Sequence, residues 1–349
     1  MHSMRRHLAR LGIALPLLAA LLPATVHAQA GPSSTATKPL EVIVFPGGFN
    51  LPIWVAQDRG FFQANGIAIK VTPTPTSVFQ MKGLLDGTFD IAMTALDNLV
   101  AYREGQGEEP GVQGDVMAVM GGDRGFLKLV AQPDIPSIAA LRGKTVSVDA
   151  RNTGYALVLF ELLDRAGLRE PDFGIERAGG VVQRFNALME KKHAATMLVS
   201  PFELRAVPQG YQVLATASTE LGAYQGYVAG VRQSWAEANG PALTAYIRSY
   251  VQGVDWLLAP GNRNDVIAIL QKNVPNTSDA DAQKIYDVLV DPKTGFQKRA
   301  ALDAEGLAQV LALRSKWGVP KKTLRAPGTY YDPRFYEAAV TSPTTAPPR

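Results

Sequence analysis

Residues 41–60 read EVIVFPGGFNLPIWVAQDRG, and three local structures follow one another within them. Glu41 to Phe45 is β-branched and apolar, the composition of a buried strand. Gly47 and Gly48 form a turn, Asn50 stands where an N-cap belongs, and Pro52 falls in the first helical turn, where its missing N–H costs nothing. A helix is therefore predicted over 51–59, stopping at Gly60. The order then repeats: strand IAIKV (67–71), turn TPTPTS (72–77), helix VFQMKGLLDG (78–87), strand FDIAMT (89–94), turn ALDN (95–98). Strands this uniformly apolar do not alternate polar and apolar faces, so they predict a mainly parallel sheet covered on both sides, an α/β fold.

Two further apolar strands, DVMAVMG (115–121) and FLKLVAQ (126–132), lead into a second unit of the same grammar. It runs through strand GKTVSVDA (143–150), turn RNTG (151–154), helix YALVLFELLDRAGL (155–168), strand FGIERA (173–178), helix VVQRFNALMEKK (181–192) and strand AATMLVS (194–200). Strands YQVLAT (211–216) and YQGYVAGV (224–231) close it. From Gln233 onward the periodicity is helical, in PALTAYIRSYVQGVDWLLA (241–259), NDVIAILQKN (264–273), ADAQKIYDVLV (280–290) and AEGLAQVLALRSKWG (304–318).

The first thirty residues carry Arg5, Arg6 and Arg10, the apolar run LGIALPLLAALL (11–22) and small residues ending VHAQA, the order of a cleavable signal peptide with cleavage after Ala28 or Ala30. No Cys follows the run, so a soluble, periplasmic monomer is expected, with residues 31–39 a linker and 341–349 a disordered tail. Of 35 basic side chains the leader holds those three, which leaves 32 against 31 acidic ones. A mature chain so nearly neutral gives no reason to expect nucleic acid as a partner. The sequence has no Cys, and of its four His only His193 lies beyond the leader. His193, in MEKKHAAT (189–196), reads as a solvated connector, so a Ser/His/Asp triad or a His-rich metal site has nothing to work with. No catalytic residue, metal or cofactor is expected.

In open α/β sheets ligands bind beyond the carboxyl ends of strands, where turns lead into helix N-termini. Three turns qualify, and they supply Gly48, Phe49 and Asn50, then Thr76 and Ser77, then Asn152, Thr153, Gly154 and Tyr155. Asn50, Ser77 and Asn152 or Thr153 also read as ordinary N-caps; their convergence at equivalent strand ends is what makes a site of them. Thr94, Asp97 and Ser200 follow strand ends and join the set, although Asp97 also fits as an N-cap. Phe49, Tyr155, Phe202 and Tyr224 suit an apolar wall. Arg124, beside Gly121, Gly122 and Gly125, is either a bidentate partner for an anionic ligand group or half of a salt bridge.

FNLPIWVAQDRGFFQANGIAIKV (49–71), QMKGLLDGTFDIAMTALDN (80–98), LRGKTVSVDARNTGYALVLFELLDRAGL (141–168) and TMLVSPFEL (196–204), in that order, resemble ABC-transporter solute-binding proteins of the nitrate/sulfonate/taurine and thiamine-pyrimidine-precursor type. The resemblance implies a type II periplasmic binding protein fold with two lobes joined by two crossing strands, near Phe126–Ala131 and Tyr224–Gly230. Lobe I would hold 40–126 and 228–340, lobe II 127–227. It also implies capture of a small organic solute, expected to carry an anionic group, in the cleft, and an ABC permease as partner. A periplasmic sensor is the alternative. A pyrimidine-synthase-like enzyme is a further one, disfavoured because that chemistry uses His and Cys.

Overall fold

The computed structural model describes residues 38–152 and 154–341. The expected leader, most of the linker, Thr153 and the tail beyond Thr341 lie outside the described residues. The remainder builds two five-stranded sheets flanked by helices, with the fold class expected from the sequence.

The first sheet takes β1 (Leu40–Val44), β2 (Ile69–Pro73), β3 (Ile91–Ala95), β4 (Val116–Met120) and, from much later in the chain, β10 (Tyr227–Arg232), in the order β2-β1-β3-β10-β4. The second takes β5 (Lys128–Ala131), β6 (Thr145–Val148), β7 (Gly174–Arg177), β8 (Ala195–Leu198) and β9 (Gln212–Thr216), in the order β7-β6-β8-β5-β9. The two orders are the same pattern. In each sheet four strands point the same way, while the strand that arrives from the other sheet, β10 or β5, is antiparallel to both its neighbours. The uniform burial of β3 and β4 explains why their sequences do not alternate.

The helices are α1 (Leu51–Asp58), α2 (Phe61–Ala64), α3 (Ser77–Asp86) and α4 (Leu96–Arg103) around the first sheet. Around the second are α5 (Ala156–Arg165), α6 (Val181–Met189), α7 (Phe202–Ala206) and α8 (Ala217–Leu221). The C-terminal series is α9 (Gln233–Ala238), α10 (Gly240–Leu258), α11 (Arg263–Asn273), α12 (Asp279–Leu289), α13 (Ala304–Trp317) and α14 (Arg334–Thr341). The long α10 packs along α1 and α14, while α13 leans on both α4 and α5 and so touches the helical layers of both sheets.

Two expectations need correction. The passages between the sheets are irregular segments, 121–127 and 217–226 with α8 inside the second, whereas β5 and β10 lie wholly within a sheet. Close backbone approach calls for glycine in both passages. A Cβ on Gly121 would stand 2.4 Å from the Ala301 carbonyl oxygen, and one on Gly226 would stand 2.3 Å from Asp123 Oδ1. Asp123 ties the passages together, its Oδ1 accepting from the Gly125 N–H at 2.8 Å and the Tyr227 N–H at 3.2 Å. His193, expected at the surface, is only 3% exposed; its connector runs beside the end of β5, where Gln132 donates to the Ala194 and His193 carbonyls.

Candidate functional site

Between the sheets lies a cavity of about 50 Å³, room for a few waters or one small polar group as it stands. Phe45, Phe49, Ser77, Asn98 and Tyr227 line it from the first sheet's side. Ser147, Asp149, Gly154, Tyr155 and Arg184 line it from the second. Phe49 and Tyr227 are packed with ring centroids 4.5 Å apart, and the Tyr227 hydroxyl is fixed by the Phe45 N–H at 3.0 Å. Burial raises the hydroxyl pKa of both Tyr155 and Tyr227, so each is a neutral phenol around pH 7.

Two charged groups share this wall. Asp149, just past β6, accepts from the Ser77 N–H at the start of α3 at 2.8 Å, which joins the two sides of the cavity through a helix N-terminus. Burial raises the Asp149 pKa, against the pull of Arg184 and of Ser77. Arg184 on α6 is 6% exposed and donates to the carbonyls of Gly179 at 2.9 Å and Met197 at 3.3 Å. Burial lowers its pKa while Asp149 opposes that, and a guanidinium in a protein stays charged.

Of the residues expected from sequence, Phe49, Ser77, Gly154 and Tyr155 come together in the wall. Others have different partners. Asn50 donates to the Phe45 carbonyl at 2.6 Å and makes no side-chain cap, and Thr76 caps α3 by accepting from the Phe79 N–H at 3.1 Å. Thr94 accepts from Asn98 Nδ2 at 2.9 Å, one layer behind the wall. Asp97 is in α4 and forms a buried ion pair with Arg314, Nε to Oδ1 at 2.9 Å with a second contact from Nη2 to Oδ2. Gly48 donates its N–H to the Ser200 carbonyl at 2.9 Å, and the Ser200 hydroxyl turns to Glu203. Asn152 spends its amide on the Gln106 and Val319 carbonyls and the Val319 N–H. Arg124 sits on the first passage with its N–H on the Gly295 carbonyl, Tyr224 is buried against Gly125, and Phe202 packs on Phe185; none of the three lines the cavity.

Asn98, Ser147, Asp149 and Arg184 were not expected. Asp149 follows β6 directly and Asn98 ends the segment ALDN, so the strand-end rule that found the other turns covers both. Arg184 carries no such signal, being one of three polar residues, with Gln183 and Asn186, within α6.

Residues 50–262 match the model of the family described as NMT1/THI5 like. No curated protein matches the chain by sequence. Among solved structures, the periplasmic nitrate-binding protein NrtA from Synechocystis PCC 6803 superposes with a TM-score of 0.72 at 14% identity, over 86% of this chain and 88% of that one. The alkanesulfonate-binding protein SsuA from Xanthomonas axonopodis pv. citri, bound to MOPS, gives 0.65 at 17%, over 85% and 100%. A Candida albicans protein described as having the generic periplasmic binding protein fold gives 0.67 at 14%, over 84% and 96%. At such identities the likeness is one of fold.

Proposed function

The chain belongs to the NMT1/THI5-like family, and from that premise we propose that it is the substrate-binding component of an ABC importer, holding a small organic solute between its two sheets and presenting it to a membrane permease. The observation that carries this reading is the cavity itself, whose wall needs residues from both sheets. Two lobes that each own half a site bind a solute best when closed on it. The lobes proposed are 40–126 with 228–340, and 127–227. Phe49, Ser77 and Asn98 are the proposed contacts on one side, and Asp149, Gly154, Tyr155 and Arg184 on the other.

The structures that share the fold support the reading, since one is named as a periplasmic nitrate-binding protein and another as an alkanesulfonate-binding protein. Delivery in the periplasm, as a monomer, fits that role. Among the described residues no helix is long and apolar enough to cross a membrane, and no group of three or more His, Cys, Asp or Glu is placed to hold a metal. Native mass spectrometry of the purified protein, followed by calorimetric titration of whatever mass is released on denaturation, tests the proposal. A single small molecule that rebinds with one-to-one stoichiometry is expected; a protein that releases nothing and is stabilised by no solute speaks against it.

A further inference from the structure

Where α5 meets the end of α13 there is a second hollow, of about 350 Å³ against about 50 Å³ for the cavity between the sheets, which is room for a small ring system. Its floor is apolar, built from the buried side chains of Phe160, Leu168 and Phe173. Trp317 forms one side, with its ring centroid 6.2 Å from that of Phe160 and its Nε1 held on Glu161 at 3.0 Å. The two hollows have no lining residue in common.

The rim is charged, with Arg151, Arg169 and Lys316 against Asp164 and Glu170. Lys316 is satisfied by Glu161 at 2.8 Å and Asp164 at 2.7 Å. The two arginines are not. Arg151 gives only Nη2, to Glu170 at 2.7 Å, while its guanidinium stands 5.3 Å from the centre of the Phe160 ring. Arg169, 78% exposed, gives only Nε, to Asp164 at 2.6 Å. Among the described residues neither guanidinium makes a further hydrogen bond. Two forks with unspent N–H groups around an aromatic floor suit a carboxylate carried on a flat ring. An aromatic cation meets three positive groups there, and a neutral ring leaves both forks to water.

Arg151, Arg169 and α5 belong to the half proposed as 127–227, whereas Lys316 and Trp317 belong to the other. Resting on the solute-binding reading for its two-lobed motion, we infer that this hollow is a separate effector site, which takes an aromatic carboxylate and is complete only when the lobes are closed. A molecule that needs α5 and α13 together binds the closed state better than the open one and so shifts the population toward it. By linkage it raises the affinity for the solute by the factor by which the solute raises its own. α5 joins the two places, since its first residue, Ala156, lines the cavity between the sheets while Phe160 and Asp164 line the hollow.

The probe that tests this is 1-naphthoate, with 1-naphthamide and 1-naphthylmethylammonium as its neutral and cationic counterparts. Calorimetric titration of the purified protein should give one site that holds 1-naphthoate at least about tenfold more tightly than either counterpart. Arg169→Glu, at an exposed position, and Trp317→Leu should each weaken 1-naphthoate by at least about tenfold. Saturation with 1-naphthoate should lower the radius of gyration of the native protein in small-angle scattering and leave that of Arg169→Glu unchanged at the same concentration. Equal affinity of the native and Arg169→Glu proteins, which would put the probe in the cavity between the sheets, overturns the inference. No binding, equal affinity for all three probes, or binding without compaction overturns it too. Each of these results leaves the solute-binding reading standing; that reading falls on the separate finding that the purified protein releases no small molecule and is stabilised by none.

Discussion

Asp123 places a carboxylate where both passages between the sheets meet, 2% exposed. Burial pushes its pKa up to about 6, against the pull of the N–H groups of Gly125 and Tyr227. The unfolded chain gives up this proton first, so the contribution to stability is complete below about pH 4 and is lost as pH rises through about 6. Asp123→Asn keeps an acceptor for both N–H groups and cannot ionise. Thermal denaturation from about pH 4 to about pH 7 should therefore show the variant gaining on the native protein as pH rises, by on the order of 3 kcal/mol in all. Asp97 teaches a different lesson. With Arg314 fully buried opposite it, Asp97→Ala strands a guanidinium and should cost about 3 to 5 kcal/mol by urea denaturation, much more than loss of a surface contact. The sequence offered Asp97 as a ligand contact because its partner lies 217 positions away. Asn152 was offered for the same reason, its partner Val319 being 167 positions away. A strand-end polar residue can be recognised locally; what claims its side chain cannot.

Among the elements, α13 is the one whose role periodicity left unread. Its apolar spacing marks a helix, but not that one helix serves both sheets. Its last turn reaches α5, with Lys316 Nζ at 2.8 Å from Glu161 and 2.7 Å from Asp164, and Trp317 Nε1 donating to Glu161 at 3.0 Å. Glu161 resists its own partial burial through the hydrogen bonds from Lys316, Trp317 and Arg165, which leave its pKa lowered. Lys316 is 46% exposed, so its pairs are worth about 0 to 1 kcal/mol each and weaken in salt. The part-buried exchange between Asn152 and Val319 is the firmer tie. Asn152→Ala removes it without touching the cavity wall, and should raise amide exchange around 316–320 by an amount corresponding to about 1 to 3 kcal/mol, read by hydrogen-exchange mass spectrometry. Unchanged protection there would assign the closure to other contacts.

Across the whole molecule, the bonds that link the two halves include Gly48 N–H to the Ser200 carbonyl at 2.9 Å, Gly180 N–H to the Pro75 carbonyl at 2.9 Å, Ser77 to Asp149, the Arg177–Glu108 ion pair, and the ties of Asn152 and α13 described above. Bending at 121–127 and 217–226 breaks these without disturbing either sheet. A bound solute should hold them closed, adding about 2.7 kcal/mol of stability at a hundredfold excess over the dissociation constant and reducing the radius of gyration in small-angle scattering. Stability gained with no compaction would leave binding intact and remove the hinge. The strand pattern of each sheet was legible from apolar runs and turns. The reversal of β5 and β10 was not, since direction is set by where the chain comes from. That reversal has a consequence for how the protein is made. The second sheet is one continuous stretch of chain, β5 to β9, and can close as soon as it exists. The first cannot, because β10 belongs between β3 and β4, and until residue 227 is available both present bare edges of the kind that recruit other strands. The part of the chain that is synthesised earliest is thus finished last. In refolding followed by pulsed amide labelling, protection should appear in β5 to β9 before it appears in β3, β4 and β10; the opposite order would mean that the first sheet nucleates across the gap.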